Sequence, residues 1–152
     1  MAGPLQKLPS AVLFACSMNA VRSPIAAAIT RHLFPGTIYA VSVGVHQGAP
    51  PDPFLPHIME EIGIDVSAHK ASTFDELTET SFDLVVTLAP EAHHRAIEMT
   101  RTLAFEVEYW PTMDPTLEEG SREQRLEAYR RVRDGLMNRI KKRFAWRPPP
   151  SG

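Results

Sequence analysis

The run Ala11-Val12-Leu13-Phe14-Ala15 carries five apolar residues without a break and is followed at once by Cys16. It is too short for a buried helix, and an unbroken apolar run is what a strand covered on both faces requires. Asp83-Leu84-Val85-Val86-Thr87-Leu88 repeats the pattern. Strands of this kind need helices above and below, and the intervening segments supply them. Pro24 suits the first turn of a helix over residues 25–34, with Ser23 as N-cap and Pro35-Gly36 as the stop. Residues 37–43 are β-branched and aromatic, a second strand. Residues 55–62 read as a helix ended by Gly63, 91–101 as another, and 104–109 alternate as a fourth strand. The last helix begins near Ser121, with Leu126, Tyr129, Val132, Leu136, Ile140 and Phe144 along one face. The expectation is an α/β fold, a small four-stranded parallel sheet with helices on both faces.

A chain of 152 residues suits a single domain over 1–152, with 1–9 and 147–152 as flexible tails. The formal net charge of -2 gives no footprint for nucleic acid, so none is expected as a partner. No apolar run approaches the roughly 20 residues of a membrane helix. Residues 1–10 lack the apolar core of a secretory signal, and a cytoplasmic address is expected.

Ligands of parallel sheets bind beyond the carboxyl ends of the strands. Cys16 stands at the end of the first strand, and Asp114 lies in the loop after the fourth. Cys16 is the only cysteine, which excludes a disulfide framework and a cysteine-based zinc site. A lone cysteine is ordinarily a small buried hydrophobe. Its surroundings argue otherwise. Cys16-Ser17-Met18-Asn19-Ala20-Val21-Arg22-Ser23-Pro24 joins a buried strand to a helix start, where successive N–H groups can face inward around an anion with the helix dipole behind them. Arg22 can clasp two oxyanions bidentately, which lysine cannot do. Cysteines in such surroundings ionise below the ~8.5 of a free thiol and become nucleophiles.

These residues resemble the low-molecular-weight protein tyrosine phosphatase family, which shares its fold with the thioredoxin-coupled arsenate reductases. Cys16, Asn19, Arg22, Ser23 and Pro24 fit the family's loop. The similarity continues through Ser42-Val43-Gly44, the segment Gly63-Ile64-Asp65-Val66-Ser67-Ala68-His69 and Asp83-Leu84-Val85-Val86 to Asp114-Pro115, covering about residues 11–145. The resemblance implies that Cys16 attacks phosphorus, that Arg22 binds phosphate and that Asp114 protonates the leaving oxygen and later activates water. It makes Ser17 to Ser23 the phosphate-binding loop, with Ser23 donating to the Cys16 thiolate. Asn19 would hold the loop in shape, with Ser42 and His69 bracing it from behind. No cofactor and no metal is implied. Asp52, Asp75 and Asp83 are the rival acids, and an Asx-turn before Pro115 is the plain alternative use of Asp114.

Three departures from the family bear on function. Met18 replaces a usual glycine, so the backbone there is less strained than in relatives or Met18 takes up the strain. Val21 replaces a cysteine found in many members, so no disulfide can form within the loop. Ala49 and Thr116 stand where tyrosine-specific members carry aromatic residues, leaving His46, Tyr109 and Trp110 as candidates for a rim. His93-His94 reads as a solvated helix face, since adjacent histidines on a helix point apart. The expected substrate is a phosphotyrosine protein or a small aryl phosphate. Two other functions compete: arsenate reduction drawing on an external thiol such as glutathione or mycothiol, and non-catalytic phosphate sensing. The relay of cysteines within one chain is ruled out by the count.

Overall fold

A computed structural model describes residues 8–150. Four parallel strands, β1 (Ala11–Cys16), β2 (Tyr39–Gly44), β3 (Leu84–Thr87) and β4 (Glu106–Tyr109), lie in the order β2-β1-β3-β4. Four helices connect and follow them: α1 (Arg22–Leu33), α2 (Phe54–Glu60), α3 (Pro90–Met99) and α4 (Arg122–Arg143). Alternate residues of β1 enter two separate cores. Val12, Phe14 and Cys16 meet α1, α2 and α4 on one face, while Leu13 and Ala15 meet Ala92 and Ala96 of α3 with Phe74 and Phe82 on the other. The unbroken apolar runs are therefore the signature of helices on both faces, as the sequence predicts.

Most boundaries shift by only a residue or two, but the start of α1 departs from expectation for a physical reason. The helix begins at Arg22 with Val21 as N-cap, and Ser23 lies inside its first turn. Ser23 does not cap because its hydroxyl is engaged with Cys16, Asn19 and Val43. At α4 the expected start is kept by a capping box: Ser121 Oγ accepts from Gln124 N, and the Gln124 side chain accepts from Ser121 N. The expected tails lie partly outside the described residues; 147–150 are exposed and carry no helix or strand. No helix among the described residues is long and apolar enough to cross a membrane.

Because all four strands run the same way, their carboxyl ends share one edge. That edge carries the Cys16 loop, His46 after β2, Glu91 at the start of α3, and Asp114 after β4.

Candidate active site

The loop from Cys16 to Arg22 is fixed from outside by its carbonyls. Ser17 O accepts from Val45 N at 2.8 Å and His46 N at 3.0 Å, and Cys16 O from Val45 N at 3.2 Å. Asn19 O accepts from His69 Nε2 at 2.8 Å. With these carbonyls turned outward, the N–H groups of Ser17 to Val21 donate to no acceptor among the described residues. That is the backbone arrangement of an anion nest.

Asn19 is the hub. It sits at φ 57°, in the left-handed region that asparagine tolerates better than other side chains. Its Nδ2 donates to Ser23 Oγ at 2.8 Å, its Oδ1 accepts from Ser72 N at 2.9 Å, and the residue is fully buried. Met18 needs no glycine's freedom: the positive-φ position is Asn19, and Met18 is 38% exposed. The glycine that the loop does require is Gly44, paired with Cys16 across β1 and β2. A Cβ there would lie 2.7 Å from Asn19 N and from Met18 C.

Cys16 is buried, with Sγ 3.0 Å from Ser23 Oγ. The single proton of that hydroxyl has two acceptors in reach, the sulfur and Val43 O at 3.2 Å. A thiolate draws the proton to itself; a thiol can instead donate to Ser23 Oγ, which then donates to Val43 O. Arg22, 8% exposed, donates from Nη1 to Thr112 O at 2.9 Å and holds Nη2 3.8 Å from Asp114 Oδ2. Asp114 serves two purposes at once. Its Oδ1 accepts from Thr116 N at 3.0 Å and Thr116 Oγ1 at 2.7 Å, while Oδ2 faces Arg22.

Of the rival acids, Asp52 lines a hollow beside the loop but is engaged there, and Asp75 and Asp83 lie elsewhere. Asp52 accepts from Tyr129 Oη at 2.7 Å and Phe54 N at 2.8 Å. Burial first, and then this bond to Asp52, push the Tyr129 hydroxyl above its ordinary range. Asp75 pairs with Arg95, and Asp83 binds Ser10 at the opposite end of the sheet. Ser42 pairs with Phe14, two register pairs behind Cys16, but no hydrogen bond joins its hydroxyl to the loop among the described residues. His93 departs from the expected solvated face: Nδ1 meets Thr87 Oγ1 at 3.0 Å, and the ring stacks on Tyr109. Trp110 is core, edge-on to Phe14, so of the three rim candidates Tyr109 and His46 are exposed. No group of three or more His, Cys, Asp or Glu side chains among the described residues could hold a metal ion.

Sequence reasoning missed Glu91. It accepts from Ser17 and pairs with His46 Nε2 at 2.7 Å. The bond from His46, then that from Ser17, hold its carboxyl below the usual range. Its position in the first helical turn after β3, on the same sheet edge as Cys16, was the signal available.

Residues 11–145 match the family described as low molecular weight phosphotyrosine protein phosphatase. The chain belongs to that family. Among its relatives, an arsenate reductase of Halalkalibacterium halodurans is 31% identical over 86% of this chain and 91% of its own length. A probable low molecular weight protein-tyrosine-phosphatase EpsP of Ralstonia solanacearum is 32% identical over 51% of this chain and 54% of its own. The solved low molecular weight protein tyrosine phosphatase of T. tengcongensis superposes with a TM-score of 0.73 at 25% identity, covering 89% of this chain and 97% of that one. The family supports a cysteine-based phosphatase or reductase chemistry for this fold, and its members carry both names.

Proposed function

We propose that the protein hydrolyses phosphomonoesters through a phosphocysteine on Cys16, with phosphotyrosine proteins or small aryl phosphates as substrates. One observation carries the reading. Arg22, at the far end of the Cys16 loop, reaches both Thr112 O and the Asp114 carboxylate, bringing a carboxylate to within 3.8 Å of the guanidinium that would grip phosphate. The Cys16 thiolate attacks phosphorus in line with the ester oxygen, the P–O bond breaks, and protonated Asp114 gives its proton to that oxygen. Water then attacks the phosphocysteine, Asp114 takes its proton, the P–S bond breaks, and phosphate leaves with the thiolate restored. Through both steps the N–H groups of the loop and Arg22 hold the equatorial oxygens, where negative charge gathers. Ser23 stabilises the thiolate each time it departs.

The absent aromatic rim does not oppose an aryl substrate. Ala49 lines a hollow of about 340 Å³ beside the loop, with Ala20, Pro51 and Leu55 as apolar walls. A single free thiol suits the cytoplasm, where thiols are kept reduced.

Arsenate reduction is the second reading, favoured by the name of the 31% identical relative. With one cysteine it requires an external thiol to attack the arsenic–cysteine adduct and supply the electrons. A panel decides between them: an aryl phosphate, a phosphotyrosine peptide, and arsenate with glutathione, mycothiol or thioredoxin. The phosphatase reading expects rapid ester hydrolysis and no arsenite. Arsenite formed faster than either ester is cleaved would hand the site to the reductase.

A further inference from the structure

Between residues 110–113 and α4 lies a second concavity, of about 310 Å³, whose lining does not include Cys16, Arg22 or Asp114. Its walls include Trp110, Met113, Arg131, Gly135, Leu136 and Arg139. The two arginines set its charge. Elsewhere on α4, Arg130, Arg133 and Arg143 are spent on Glu61, Glu123, Glu127, Asp134 and Glu108. Arg131 and Arg139 form no ion pair within 4 Å among the described residues, although the charge of Arg139 does act on the Glu108 carboxylate. The Arg139 guanidinium lies 5.0 Å over the Trp110 ring, which fixes its direction without neutralising it. The nearest acid, Glu108, is already engaged by Arg143 and Trp110 Nε1. No carboxylate lines the groove.

Gly135 is the second, independent observation. A glycine inside a 22-residue helix costs about 0.5–1 kcal/mol relative to alanine. Packing does not demand it, because an added Cβ would meet nothing within 4 Å. What it does is hollow the helix surface midway between Arg131 and Arg139, opposite Met113, which is 56% exposed.

The geometry points to a docking groove for an extended acidic segment of a protein partner, with two carboxylates four residues apart and an apolar side chain midway between them. The spacing follows from chain geometry. Arg131 and Arg139 are eight residues apart on the helix, a rise of about 12 Å at 1.5 Å per residue. An extended chain covers that span in about four residues and turns positions i, i+2 and i+4 to one side. The outer two meet the guanidiniums. The middle one drops onto the bare backbone of Gly135 beside Met113, an unbranched side chain able to adapt to what it covers. This use of α4 is independent of what Cys16 does.

The test uses the whole chain and a dye-labelled peptide of serines carrying glutamates four apart with a leucine between, followed by fluorescence anisotropy at low salt. Saturable binding is expected, with Kd below about 1 mM. It should survive saturating inorganic phosphate, and it should weaken at least tenfold in Gly135→Leu, a variant that melts no lower than the parent. An Arg131→Glu, Arg139→Glu double variant should reject this peptide and bind its counterpart with lysines for glutamates. Four results would overturn the inference: no binding by the folded parent, displacement by phosphate, equal affinity in the double variant, or tighter binding of an oligothymidylate of equal charge.

Discussion

The two loops that meet at Arg22 are held in opposite ways. The Cys16 loop is mostly buried apart from Met18, and its network joins four parts of the chain: Asn19 reaches Ser23, Ser72 and His69, while Ser17 O is bound by the chain leaving β2. The Asp114 loop is more exposed. It is fixed by its own Asx cap on Thr116, by Pro115, and by the bond from Arg22 to Thr112 O. If Cys16 attacks as proposed, rigid placement suits a group that must meet phosphorus along one line. A looser carboxylate suits a group that must hand a proton to one oxygen and later take one from another. On the proposed mechanism, half of this site is built before substrate arrives, and the other half is held by Arg22, the arginine proposed to grip phosphate.

The largest effect should come from Cys16→Ser, which leaves the nest and Arg22 in place. Phosphate affinity should hold while turnover falls by about 10⁴-fold or more, because an alcohol there is not ionised. Residual turnover near the parent's would mean that the rigid loop positions something other than the nucleophile. Next comes Asp114→Asn, which keeps an oxygen for the Thr116 cap and so should change stability little. On an ester with a poor alkyl leaving group the loss should reach about 10²–10⁴-fold, with a smaller loss when the departing phenol is acidic. Equal losses on both esters would reduce Asp114 to the cap it also forms.

The loops also differ in how far the sequence revealed them. The Cys16 loop is contiguous, so its strand, its arginine and its helix start can be read in a line. Its support cannot be read that way. Ser72 lies 53 residues from Asn19 and His69 lies 50, and what joins them is a bond to Asn19 from each. Ser23 looked like a cap because serine before proline commonly is one; tertiary hydrogen bonds claimed its hydroxyl first. Ser42 lies behind the loop, as its place in the sequence suggests, but its hydroxyl does not reach in. Glu91 went unread because a glutamate in a helix's first turn needs no partner beyond the dipole. Thr112, which Arg22 grips, contributes only a carbonyl and leaves no trace in side-chain chemistry.

A third substitution sharpens the contrast at the rigid loop. Gly44→Ala would force a Cβ to within 2.7 Å of the backbone at Met18 and Asn19, where no flexible side chain can yield. Overpacking of this kind costs about 1–3 kcal/mol. A displacement of the loop approaching an ångström should take kcat/KM on any aryl phosphate down by about 10²-fold, whatever the leaving group. That indifference is the distinguishing mark against Asp114→Asn. Thermal melting and kinetics on two esters measure both. Should Gly44→Ala discriminate between the esters, the nucleophile loop and the acid loop would not be mechanically separate.

The smallest effect belongs to Glu61→Gln, which asks whether the looser loop depends on where α4 sits. Glu61 accepts from Arg130 Nε and Nη2 and from Arg133 Nη1, fastening the end of α2 to the middle of α4. The bonds from Arg130 above all, aided by Arg133 and opposed by burial, bring its carboxyl from an ordinary 4.5 down to about 2. A folded value below the unfolded one means that the folded chain keeps the charge where the unfolded chain takes a proton. The contribution is therefore whole above pH 4.5, fades as pH falls from 4.5 toward 2, and is gone below. The side chain is 31% exposed, so water screens the cluster. Melting near pH 7 should drop by no more than about 3 °C, and the gap from the parent should close through that acid window. Glu61 touches neither loop, so hydrolysis of either ester near pH 7 should not change. A selective slowing of the alkyl ester would show that the position of α4 sets the reach of Asp114, and that the acid loop borrows its order from the helix rather than from Arg22.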